Sequence, residues 1–232
     1  MCGRQEEWDG MKVLWVALVG LLVAVCACIH QPAVGIDSIE KSIATTGGYE
    51  ENRIVIFNAS GFFVSDEGYM FIAGHSAKRI LKPGGSIVVY VNGRNNKSYS
   101  AKLIAIDKHH DLALIKTKKP LGHVVYKICN DVQAHEKVVV YAARNEITEV
   151  IVGKVIGQVE ESSFHFVTSA PIDYGFSGGP VVSMNRGCVL GVTTNLWRDL
   201  KKSNSYFRHP KISPIILKAL KQHAPESLEL FK

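Results

Sequence analysis

Residues 168–184 read TSAPIDYGFSGGPVVSM, with Ser177 set among Gly175, Gly178 and Gly179. A serine hydroxyl is a weak nucleophile at neutral pH, so using one requires a base within hydrogen-bond reach and donors for the developing oxyanion. Glycines lack Cβ, admit positive φ and let the amides of Gly175 and Ser177 converge on one small space. The same letters also read as an ordinary turn between two apolar runs. Which reading holds depends on what the rest of the chain supplies: strands on both sides, an imidazole and a carboxylate.

Strands are predicted throughout the middle of the chain. Residues 53–58, 61–64, 69–73, 86–91, 98–107 and 112–117 are β-branched or aromatic runs, with Asp66-Glu67-Gly68 as a hairpin turn, and they precede a polar linker at 118–122. Six such runs imply a small barrel or sandwich. A second set follows at 137–142, 147–158, 163–168, 179–184 and 188–194, with a last short strand at Tyr206-Phe207. Residues 214–223 are predicted helical, because Pro214 suits the first helical position and Ile215, Ile216, Ala219 and Leu220 share one face. The reading is all-β: two β halves, about 52–117 and 123–212, and a C-terminal helix at 214–223.

The 232 residues, 47% hydrophobic, are ample for a core, and the formal net charge is +6. The positive charge is scattered, which describes a solvated basic surface, and no nucleic-acid partner is expected. No metal or cofactor is expected either. Residues 13–29, VLWVALVGLLVAVCACI, follow Met11-Lys12 and form an uncharged apolar run. Its length fits a signal-peptide core, a lipoprotein signal with Cys28 as the lipidation candidate, or a short membrane anchor. Each option makes the membrane a partner through residues 1–30 and puts the remainder outside the cytoplasm, membrane-anchored or secreted, and periplasmic if bacterial. Residues 31–51 are read as a tether. Oligomerisation is left open. Of the five cysteines, Cys129 and Cys188 fall in the β region. They are expected as two buried thiols, able to bridge if the compartment is oxidising.

A serine nucleophile wants an imidazole base, and the base wants a carboxylate to hold its tautomer. Among nine histidines, His75 closes the strand run in FIAGHSA, between small residues that leave the ring free to face a cleft. Asp111 heads the apolar run DLALIK, an unusual place for a carboxylate without a partner. His75, Asp111 and Ser177 follow in that order, the first two in one β half and the serine in the other.

With those residues in view, most of residues 60–223 resembles a trypsin-like serine protease, HtrA-type rather than digestive. SGFFVSDEGYMFIAGHSA resembles the run into the family's catalytic histidine, IDKHHDLALIK its aspartate strand and TSAPIDYGFSGGPVV its serine loop. YFRHP sits where HtrA-type sequences have Phe-Ala-Ile-Pro. The resemblance implies two six-stranded β-barrels with a C-terminal helix and cleavage of protein or peptide substrates. It casts His75 as general base, Asp111 as its orienting group and Ser177 as nucleophile, with the amides of Gly175 and Ser177 as oxyanion hole. It also implies that Pro171 lies near the base of the primary specificity pocket, while Thr193, Thr194 and Asn195 form its wall and pair with substrate backbone. With no acid at the pocket base, an aliphatic or small residue is expected before the scissile bond.

The sequence departs from the family at Asp173-Tyr174-Gly175-Phe176, where HtrA-type loops carry Asn-Pro-Gly-Asn. Phe176 replaces the acidic residue of digestive relatives, so activation by a freed N-terminus pairing there is not expected. No PDZ domain is expected after the helix. Two other readings stand. Gly175-Phe176-Ser177-Gly178-Gly179 also satisfies the G-x-S-x-G of an esterase or lipase, which requires strand, turn and helix in succession. A protease-like binding module without turnover is the other.

Overall fold

The computed structural model describes residues 43–50, 53–80, 87–91, 98–117, 127–144, 147–159, 162–199, 204–212, 214–223 and 225. The apolar segment 13–29, Cys28 and the linker 118–122 lie outside the described residues. Among those described, no helix is long and apolar enough to cross a membrane.

Strands β1 (Ile43–Glu50), β2 (Arg53–Phe63), β3 (Tyr69–Ala73), β4 (Ile87–Val91), β5 (Ser98–Asp107) and β6 (Leu112–Thr117) form a closed barrel in the order β1-β2-β3-β6-β5-β4. Period-two alternation sorts their side chains between two cores. Met70 and Ile72 of β3 and Ala113 and Ile115 of β6 face the barrel interior with Phe63, Ile87 and Val89. Their neighbours Tyr69, Phe71, Leu112 and Leu114 face outward and are buried as well, against Val139, Tyr141, Val182 and Val192 of the second half. That shared apolar layer seats the two halves on each other. Helix α1 (Gly74–Ile80) follows β3, and α2 (Pro214–His223) buries Ile216 and Leu220 in the same layer. The Tyr69 hydroxyl donates to the His223 carbonyl at 2.8 Å, fastening the end of α2 to the barrel.

The second half contains β7 (Lys137–Arg144), β8 (Ile147–Val159), β9 (Ser162–Thr168), β10 (Pro180–Ser183), β11 (Val189–Val192), β12 (Asn195–Asp199) and β13 (Asn204–Pro210), ordered β11-β10-β7-β8-β9-β13-β12. β11 and β12 sit at opposite ends of that order yet are consecutive in the chain, separated by Thr193 and Thr194 alone. The sheet therefore curls back on itself, and the expected six strands are present with one of them interrupted. Phe166, Phe176, Val140, Val181 and Leu190 fill its interior.

Two expectations need correction. Residues 43–50 are not tether but β1, which pairs with β2 on one side and β4 on the other to close the barrel. IATTGGYE carries no apolar alternation, and its extended state comes from those two partners rather than from propensity. Cys129 and Cys188 are not separate thiols but a disulfide, with Cα atoms 5.3 Å apart. A parallel bridge between Ile128 and Val189, with Cys129 N–H donating to Val189 O, sets the pair face to face.

Candidate active site

His75 occupies the first turn of α1, one step beyond the strand end where the sequence put it. Its Nδ1 lies 2.7 Å from Asp111 Oδ2, and its backbone N–H donates to Asp111 Oδ1 at 2.6 Å. A carboxylate only accepts, so Nδ1 carries the proton and Nε2 is left as a base. The backbones are tied too: Gly74 N–H donates to Asp111 O at 2.7 Å, and a Cβ at Gly74 would meet the Asp111 carbonyl carbon at 2.9 Å. Asp111 itself has φ +57°, the left-handed region that Asp tolerates better than most residues.

The turn carrying Asp111 is shaped by a carboxylate the sequence reading passed over. Buried Asp107 accepts from the amides of His109 and His110 at 3.0 and 3.1 Å, and its Oδ2 lies 2.7 Å from His110 Nδ1. The His110 ring in turn lies 5.7 Å from that of His165 in β9, across the junction of the halves. An Asp three residues before a His was the available signal.

Ser177 lies on a turn built from glycine geometry. Gly175 and Gly178 have φ +99° and +91°. Gly179 N–H donates to Phe176 O at 2.8 Å, and Gly178 N–H to Thr193 O at 2.6 Å. Phe176 is fully buried beneath the loop, which explains its departure from the family pattern: the side chain anchors the turn in the second core. Asp173 accepts from Tyr174 N–H at 2.7 Å, and its carbonyl from Phe176 N–H at 3.3 Å, so it caps the turn, while Tyr174 is exposed. Among the described residues the amides of Gly175 and Ser177 take no acceptor. Ser177 Oγ donates weakly, over 3.4 Å, to the carbonyl of Thr194, and no hydrogen bond joins it to His75.

The expected substrate wall is partly committed to the fold. Thr193 uses both backbone groups on the Ser177 turn, its N–H donating to Gly179 O at 2.8 Å and its carbonyl accepting from Gly178. Asn195 opens β12 and pairs with Arg208 of β13, leaving β12 as a sheet edge. Pro171 is exposed, while its neighbours Ala170 and Ile172 turn into the core. Among the described residues no group of His, Cys, Asp or Glu side chains is arranged to hold a metal.

The trypsin-like peptidase domain model matches residues 59–192, more than half of the chain. The chain belongs to the trypsin-like peptidase family. This trypsin-like chain is 31% identical to serine protease HTRA1A of Danio rerio over 158 residues, 63% of this chain and 32% of that one. It is likewise 31% identical to human serine protease HTRA3 over 61% of this chain and 34% of the relative. It thus spans about a third of the length of these relatives. Solved structures share the fold: the MamO protease domain from Magnetospirillum magneticum has a TM-score of 0.59 at 20% identity, covering 75% of this chain and 93% of that one. A serine endoprotease from Yersinia pestis has the same score and identity over 84% of this chain and 65% of its own.

Proposed function

We propose that this chain is a serine endopeptidase that cleaves protein or peptide substrates through an acyl-enzyme. The observation that carries the reading is the two-point bond between His75 and Asp111, Nδ1 to Oδ2 and N–H to Oδ1, beside a Ser177 turn whose Gly175 and Ser177 amides take no acceptor among the described residues. In this reading Ser177 Oγ swings from the Thr194 carbonyl to His75 Nε2, loses its proton to that nitrogen and attacks the scissile carbonyl. The oxyanion is received by Gly175 and Ser177 N–H, and His75 passes its proton to the departing amine. Water then takes the serine's part and releases the acid. Asp111 holds the ring and stabilises the imidazolium. The free edge of β12 supports docking of the substrate backbone as an added strand.

The Cys129–Cys188 disulfide supports an oxidising, extracytoplasmic compartment for this domain, reached by way of residues 13–29. The intact mass of the mature N-terminus distinguishes a cleaved signal, acylation at Cys28 and an uncleaved anchor.

A second reading, the binding module without turnover, is favoured by one observation: Ser177 Oγ rests on Thr194 O instead of His75. The esterase reading has less support, since Ser177 leads into strand β10 rather than a helix. A fluorophosphonate probe decides. Labelling of the wild type and none of Ser177→Ala is the protease result; an unlabelled wild type under all conditions is the binding-module result.

A further inference from the structure

Among the described residues two buried side-chain polar atoms have no hydrogen-bond partner, Thr193 Oγ1 and His209 Nδ1. Both belong to the wall beside the nucleophile. Thr193 bonds the Ser177 turn through both backbone groups. β13 places Arg208 opposite Asn195, so one step further along these antiparallel chains His209 comes level with Thr194, whose carbonyl holds Ser177 Oγ. On its other side His209 is registered with Phe166, their rings 5.3 Å apart, and Phe166 shares its core with Ala170, Ile172 and Phe176 under the serine loop. His209 Nε2 is engaged by Thr168 Oγ1 at 3.0 Å. Burying polar atoms unpaired is unfavourable, and each such case calls for a reason.

We propose that His209 and Thr193 are specificity-determining residues for the protease function argued above, reading a carboxamide side chain, glutamine or asparagine, at the residue before the scissile bond. That side chain hangs from the carbon acylating Ser177 and must lie against this wall. An aliphatic group entering there leaves both atoms unsatisfied. A carboxamide offers an acceptor and a donor together, so it can satisfy Nδ1 in either tautomer and the Thr193 hydroxyl as well. Burial holds the imidazole neutral, its pKa pushed down to about 3, so the wall brings no charge to pair a carboxylate or an ammonium. Both groups are sealed in the free chain, so the incoming side chain has to displace apolar packing of the Ile172–Phe176 turn. The apolar pocket expected from the sequence rested on the lack of an acid at its base and did not include His209.

The inference rests on the protease reading, and the experiment separates the two. The full chain is given fluorogenic peptides differing only in that residue (Gln, Asn, Glu, Leu, Val, Ala, Lys), with fluorophosphonate labelling of Ser177 in parallel. The expected kcat/KM for Gln or Asn exceeds that for Leu and Val by roughly tenfold or more. In His209→Ile and in Thr193→Val that ratio falls, with kcat/KM taken per fluorophosphonate-titrated serine so that a loss of reactive sites does not count. Labelling with Leu, Val, Ala, Glu or Lys preferred, or with no carboxamide peptide cleaved, overturns the inference and leaves the protease reading intact. An unchanged preference in labelled His209→Ile and Thr193→Val overturns it too, assigning the two atoms to a buried water. Absence of labelling overturns both.

Discussion

Ser60 of the first barrel donates its backbone N–H to the carbonyl of Ser177 at 2.7 Å, so a residue of one half directly holds the candidate nucleophile of the other. Its hydroxyl continues the link, donating to Gly175 O at 2.7 Å and accepting from Ala143 N–H of β7 at 2.9 Å. His75 and Asp111 descend from the same barrel as Ser60. The geometry between His75 and Ser177 therefore depends on this buried staple as well as on the shared apolar layer.

Ser60→Ala keeps the backbone bond but leaves the Ala143 amide and the Gly175 carbonyl without their hydroxyl partner. Each orphaned buried group costs ~1–3 kcal/mol. Urea unfolding of the variant is expected to show a loss of about 2–6 kcal/mol for the two groups together. The fluorophosphonate labelling rate should fall as well, because Gly175 is freed to turn. A labelling rate equal to wild type would show that the staple serves stability alone.

Gly178 cannot be replaced. Its φ is +91°, and a Cβ there would overlap the Ser60 carbonyl oxygen, which is backbone and cannot swing aside. Gly178→Ala is expected to abolish labelling and to yield little folded protein. Gly157→Ala is the control, since a Cβ at that position meets nothing within 4 Å. Its thermal midpoint should match wild type within about 0.5 kcal/mol equivalent, as substitutions away from special features do. Circular dichroism melts of the two variants check both outcomes.

The disulfide closes a separation of 59 residues and ties β11 to the segment that enters β7. A loop of that size is worth about 4 kcal/mol in the chain-entropy model. Cys129→Ala with Cys188→Ala, or wild type kept in reductant, is expected to unfold at lower urea by an amount of that order. Equal midpoints with and without reductant would contradict a structural role for the bond.

The local parts of this site were readable in the chain. Ser177 among glycines, His75 after an apolar strand and Asp111 heading another are each signalled by immediate neighbours. So is α2, whose bounds match the expectation. Features that depend on partners distant in sequence were not readable. β1 is a strand through β2 and β4, and the Cys129–Cys188 pairing comes from an isolated bridge. His209 gained no distinction from YFRHP, because its meaning lies in the pairing of β13 with β9 and β12. Phe176 departed from the family pattern for a reason visible only once the core beneath the loop was in place.

His209 also predicts how the fold responds to acid. Burial lowers its pKa to about 3 from the ordinary 6.5, so between those values the unfolded chain binds a proton that the folded chain refuses. Stability is therefore unaffected above pH 6.5 and declines as pH falls from there toward 3. The expected loss by pH 5 is ~2 kcal/mol from this one group. Glu136 acts in a different window. Burial pushes its carboxyl up, but bonds from Arg186 and Ser183 outweigh that and hold it below the usual value of 4.5, so its contribution is present above that value and is lost only at lower pH. The difference between wild type and His209→Leu in urea unfolding from pH 7.5 to 5 isolates this histidine. Across that range the stability of wild type relative to His209→Leu should fall by about 2 kcal/mol. Parallel curves for the two proteins would mean that the ring takes up a proton in the folded state and is not held neutral beside Phe166.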